Sequence, residues 1–167
     1  LSSCHSGESL PPTIRVHHIK AARQLADFVV VGVHWGVENS HAIADPQRTL
    51  AQNLADWGAD LIIGTHPHVL QNAQWLTAAD GRQVFTAYSL GNFISTQEKP
   101  DQLIGAILSV QLEKTTELDG TVRCSVLSPR LLPTVTHYDA GKSNVRTYLF
   151  RDYTEALTKA HGVRQAY

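Results

Sequence analysis

Apolar residues recur along this chain in two rhythms. Phe28–Val33 and Leu61–Ile63 are short continuous apolar runs, while the segment between them places Leu50, Leu54 and Trp57 at helical spacing with Ala51 and Ala55 alongside. A continuous run bounded by polar or glycine residues suits a strand buried on both faces. Two such strands joined by a helix predict a parallel βαβ unit. Asp45 and Pro46 are expected to cap and open that helix, and Gly58 to end it.

The remaining pattern places further elements around this unit. Residues 1–13 are rich in Ser, Pro and Gly and predict a loop. Val16–Ala26 sets Ile19, Ala22, Leu25 and Ala26 on one helical face. Gly36–Ala44 is a loop that carries Glu38 and His41, and Thr65–Leu70 leads into an edge segment through Leu76. After a turn at residues 79–82, Gln83–Tyr88 predicts a third strand, which ends in the sequence YSLGNF. Leu103–Leu112 and Thr121–Leu127, joined at Asp119-Gly120, predict an antiparallel hairpin. Pro129 and Pro133 are expected to break the pattern, and a last helix is predicted over Asp152–Ala160. No repeat, low-complexity tract or linker divides residues 1–167, which read as one α/β domain.

Composition narrows the partners. Of 167 residues, 43% are hydrophobic and 17% charged, which describes a soluble domain with an ordinary core. Fourteen basic residues against fifteen acidic ones give no basic surface for nucleic acid. No apolar run approaches the ~18–20 residues that span a bilayer. Cys4 and Cys124 lack metal-type spacing, and whether they pair depends on the fold. LSSC at residues 1–4 has the form of a lipoprotein processing site but no apolar segment before it, and is read as coincidence. The chain has no methionine and starts at Leu1, so it is expected to be part of a longer product.

Nine histidines are present, and their placement carries the information. His34 follows the first predicted strand; His66 and His68 follow the second. Ligands of open parallel sheets bind just beyond the carboxyl ends of strands, so the three form a candidate metal or phosphate rim. Neutral imidazole ligates Zn, Fe and Mn well. An H-x-H pair on extended backbone puts both rings on one face, with Pro67 stiffening the link. Glu38 and Asn92 are candidates for orienting a histidine, as a loop carboxylate and a strand-end amide. His17, His18 and His41 read as surface residues, Trp35 and Trp57 as packing, and His5, His137 and His161 have no supporting context.

VHWGVE, LADWGADLIIGTHPHVLQ and YSLGNF, in this order and spacing, resemble the bacterial capsule synthesis protein CapA family (the poly-γ-glutamate capsule domain). That family resembles the calcineurin-like metallophosphoesterases. The resemblance is strong from about Asp27 to Phe93 and fades by Pro133. It implies a layered β-sandwich flanked by helices, of which this chain is the C-terminal lobe. It also implies that His34 is an isolated metal-ligand histidine, and that His66 and His68 are the terminal H-x-H pair of a dinuclear centre of divalent ions (Mn, Zn, Fe or Mg). Glu38 and Asn92 match family positions without an implied role.

The Asp-containing, Gly-Asp and Asn-Asn-His motifs of the family's N-terminal half are absent from this sequence. The site is therefore expected to need that missing half or a complementary chain, and this chain alone to be inactive and prone to self-association. The resemblance implies a role in capsule or poly-γ-glutamate production at the bacterial envelope, with envelope polymer-synthesis partners. A non-catalytic scaffold in such a complex and a simple metal-binding module are the alternatives.

Overall fold

A computed structural model of the chain describes residues 12–163, with side chains from Val16 onward. The two apolar runs become β1 (Val30–His34) and β2 (Leu61–Thr65). They are parallel and in register from Val30 opposite Leu61 to His34 opposite Thr65. Helix α2 (Asp45–Trp57) links them, so the βαβ unit forms as its apolar pattern predicts. Its start differs from expectation: Ala44 is the N-cap, and its N–H donates to the Gln47 side-chain oxygen at 3.0 Å. Asp45 is already helical and Pro46 follows it. The helix ends where expected. Gly58 takes φ +118°, and the N–H groups of Gly58 and Ala59 close back on Ala55 and Leu54.

β3 (Leu70–Thr77) and β4 (Gln83–Leu90) complete a four-stranded mixed sheet of order β1-β2-β4-β3. β4 is parallel to β2, and β3 is antiparallel to β4 at the far edge. Helix α1 (Pro12–Leu25), which starts earlier than its pattern indicates, packs with α2 on one face. There Ile19, Trp35, Leu54, Ile62 and Tyr88 are buried in one core. The opposite face meets a second sheet.

That second sheet is antiparallel, of order β5-β6-β7, with β5 (Ile104–Thr116), β6 (Val122–Asp139) and β7 (Ser143–Leu149). Leu61, Phe85 and Ala87 of the first sheet pack with Val126, Leu108 and Val110 of the second. A one-turn helix, α3 (Pro100–Leu103), precedes β5, and α4 (Glu155–Ala160) closes the described chain, shorter than its predicted span. The architecture is thus layered and mixed α/β, with a mixed sheet, an antiparallel sheet and helices outside.

Two further expectations change. β1 is not buried on both faces: it alternates exposed and half-buried residues, and Val30 is 51% exposed. It is the open edge of its sheet, and the second sheet does not reach over it. The prolines do not end β6. Ser128 at φ +48° and Pro129 sit where the register shifts against β5, so the ladder does not need the missing N–H. Pro133 lies opposite Ala106, just before β7 begins to pair at Thr134. β7 itself, with its polar SNVRTYL sequence, gave no apolar signal. His5, Cys4 and the LSSC stretch lie outside the described residues; Cys124 is half-buried on β6.

Candidate functional site

The carboxyl ends of β1, β2 and β4 meet at one rim. His34 is the last residue of β1, and the two strands stay paired past it, with the Trp35 N–H donating to the Thr65 carbonyl at 3.1 Å. Trp35 then turns inward. Its indole N–H passes over β2 and donates to the Tyr88 carbonyl on β4 at 2.8 Å, and its ring stacks on Tyr88 at 5.5 Å between centroids. Gly64 leaves room for this crossing. A Cβ there would stand 2.0 Å from the Tyr88 oxygen and 2.3 Å from the indole nitrogen. The VHWG and IIGTH motifs thus carry a packing requirement alongside their histidines.

His66 and His68 leave β2 in a loop. Both take positive φ, +102° and +63°, with buried Pro67 between them. The expected extended H-x-H segment is therefore not what brings the rings together; left-handed backbone is. Such conformations cost about 1–3 kcal/mol in a non-glycine residue and persist only where the surroundings enforce them. The Asn39 N–H holds the Pro67 carbonyl at 2.7 Å and ties this loop to the one after β1. The His34 and His66 ring centroids lie 4.4 Å apart, and those of His66 and His68 6.1 Å.

The electrostatics favour a neutral His34 ring. Partial burial pushes the His34 pKa down, and the charges that His66 and His68 would carry push it the same way, while Glu38 opposes them. Glu38 itself is exposed on the loop after β1. Asn92 follows β4 and Gly91, and its side-chain oxygen lies 2.9 Å from His68 Nδ1. A Cβ on Gly91 or Gly105 would collide with backbone at 2.7 or 2.2 Å, so these glycines let the two sheets bridge and seat Asn92 beside the loop.

The three imidazoles supply nitrogen donors on one side of a rim. Among the described residues, no group of three or more His, Cys, Asp or Glu is arranged to hold a metal ion by itself.

A profile of the family described as bacterial capsule synthesis protein PGA_cap matches residues 12–97, the interval that contains the whole rim. The chain belongs to this family. It is 39% identical over 115 residues to the PGA biosynthesis protein CapA of Bacillus subtilis, covering 69% of this chain and 28% of that relative. It is also 39% identical over 93 residues to the capsule biosynthesis protein CapA of Bacillus anthracis, covering 53% of this chain and 21% of that relative. The chain spans less than a third of the length of either curated relative.

Several supporting residues had no sequence signal. Gln47 and Gln71 are buried and joined amide to amide at 2.9 Å, and Gln71 donates to the Ser40 and Ala42 carbonyls. This pair fixes the loop that carries Glu38 and His41. Gln102, also buried, donates to Asn39 and accepts from Asn92. His41 is exposed as expected and caps the Leu70 carbonyl at 2.8 Å. His137 and His161 do have context, remote from the rim in sequence: they lie 4.9 Å apart in an aromatic cluster with Tyr153. His137 Nδ1 lies 2.9 Å from the Tyr153 hydroxyl, and His161 Nε2 lies 3.1 Å from the Thr136 carbonyl.

Proposed function

We propose that this chain takes part in bacterial capsule or poly-γ-glutamate biosynthesis, and that its histidine rim is one side of a metal-dependent phosphoesterase-type hydrolase site. The observation that carries the reading is the convergence of His34, His66 and His68 at the ends of β1 and β2, inside the family-matched interval. His34, His66 and His68 would hold divalent ions of the Mn, Zn, Fe or Mg class. When bound, such ions polarise a phosphoryl oxygen and lower the pKa of an attached water. The chain's own part is to keep His34 neutral and the three imidazoles fixed. Burial and mutual repulsion disfavour protonation of His34, and the two positive-φ residues hold the loop rings near it. The remaining ligands come from an N-terminal portion of the longer protein or from a complementary chain. The open edge at β1, next to His34, is where that segment would approach. Among the described residues no helix is long and apolar enough to cross a membrane; we assign the protein to the bacterial envelope on the relatives' capsule role.

A second reading is a non-catalytic partner in a polymer synthesis and export complex. The lack of a self-sufficient ligand group among the described residues favours it. Metal analysis and hydrolysis of generic phosphomonoesters and diesters by the full-length protein separate the two. We expect bound metal with turnover, and both to fall in His34→Ala and His66→Ala by more than the ~10–100-fold typical of losing an outer partner. Metal without turnover identifies a binding module. Neither metal nor turnover in the full-length protein identifies the scaffold, and wild-type behaviour of both variants overturns the site.

A further inference from the structure

We infer that Asn92 is a positioning residue that holds neutral His68 in its Nδ1–H tautomer and so keeps the Nε2 lone pair available at the rim. The inference rests on the reading of His68 as a ligand and adds the device that prepares it. Three oxygens surround one end of the Asn92 amide. The His68 carbonyl lies at 3.2 Å, the Gln102 carbonyl at 3.0 Å and the Gln97 side-chain oxygen at 2.6 Å. Two of these are backbone carbonyls, which only accept. An amide oxygen in that place would face the two backbone carbonyls, so this end must be the NH₂ group. The orientation of an amide is assigned by its network, and here the network permits one choice.

The other end of Asn92 is therefore a carbonyl oxygen, an acceptor without a proton to give. It lies 2.9 Å from His68 Nδ1. Two acceptors cannot share that distance, so Nδ1 carries the hydrogen. A neutral imidazole carries only one, which leaves Nε2 as a lone pair. Free histidine in water favours the opposite tautomer, so the arrangement is imposed by the fold. The same amide holds the His68 carbonyl, clamping backbone and ring of one residue together at a positive φ. Gln102 extends the clamp to Asn39, and through it to the loop after β1.

The test is a long-range ¹H–¹⁵N correlation spectrum of the histidine rings in the uniformly labelled chain, recorded with chelator at pH 8. We expect His68 Nε2 at a lone-pair shift and Nδ1 at a protonated shift. Asn92→Asp keeps the acceptor and should keep this tautomer. Asn92→Leu removes it, and should move His68 toward the Nε2–H form and weaken Mn²⁺ binding by about 10–100-fold. An Nε2–H tautomer in the wild-type chain overturns the inference even if no variant folds. So does an unchanged tautomer in folded Asn92→Leu. An Nδ1–H tautomer in a full-length protein without affinity for Mn²⁺ or Zn²⁺ overturns the ligand role instead, and identifies the clamp as structural.

Discussion

At the scale of single residues, the rim is held in conformations that its own side chains do not favour. His66 at φ +102° gains nothing from its Cβ in that region, whereas glycine adopts it freely. On the proposed reading, metal ligation and not stability accounts for a histidine there. His66→Gly is expected to be more stable than His66→Ala by about 1 kcal/mol, with metal binding lost in both; thermal melts of the two variants give the ordering. An equal or reversed order would remove strain from the account. Gly64 presents the opposite case, in which the absence of a side chain is required. Gly64→Ala forces the backbone of Tyr88 or the Trp35 indole to move, at a cost of about 3 kcal/mol from overpacking and a broken buried hydrogen bond. Urea unfolding should register it as a lower midpoint at unchanged slope.

At the scale of elements, the two ends of the parallel strands are anchored by different chemistry. The rim end depends on amides: Gln47, Gln71, Gln102 and Asn92. The far end depends on charge. Asp60, 4% exposed at the start of β2, accepts from Arg23 at 2.5 Å, from Arg82 at 3.0 Å and from the Val29 N–H at 2.7 Å. Asp60→Ala removes one partner from each of two arginines and the acceptor of the buried Val29 N–H, and is expected to destabilise by about 3 kcal/mol. Because this anchor is at the opposite strand end, the metal affinity of the folded fraction should stay at the wild-type value. A loss of affinity equal to that of His66→Ala would show that the two ends are coupled. These anchors also mark what could be read from sequence. Apolar runs, the helix between them and its Gly58 stop are local patterns, and they placed β1, α2, β2 and the three histidines. Gln71 and Asp60 act through residues 22 or more positions away, and Gln47 meets Gln71 across 24, so no local pattern announces these contacts. The same holds for β6. Its prolines break a strand by local rules, yet a bulge and an unpaired flank accommodate both. The open edge of β1 was hidden because an apolar run reads the same whether or not a neighbour covers it.

At the scale of the molecule, acid sensitivity follows from buried histidine. His137 is 2% exposed, and burial pushes its pKa below the ordinary 6.5, while Asp139 opposes the shift and His161 adds to it. The unfolded chain therefore binds a proton near pH 6.5 that the folded chain refuses until lower pH. Stability is complete above that value and declines as pH falls from 6.5 toward the folded pKa. His34 contributes in the same direction. Asp80 and Asp139, whose pKa values are lowered from 3.8, act only in stronger acid. Melting temperatures in chelator should thus drop between pH 7.5 and 5.5, and His137→Gln should flatten part of that slope. A slope identical to wild type would remove His137 as its source.

The stacking of Trp35 on Tyr88, one residue beyond His34, makes the rim optically readable. The protein holds three tryptophans: Trp35 is buried, Trp57 is half-buried against the same core and remains in all three proteins compared below, and Trp75 is 43% exposed. A sheltered indole emits to the blue of an exposed one, so the two populations can be followed separately. Occupancy of the rim by paramagnetic Mn²⁺ should dim the blue component in wild type and in Trp75→Phe, but not in Trp35→Phe. The residue that locks β1 to β4 then doubles as a label-free fluorescent gauge of what binds beside it.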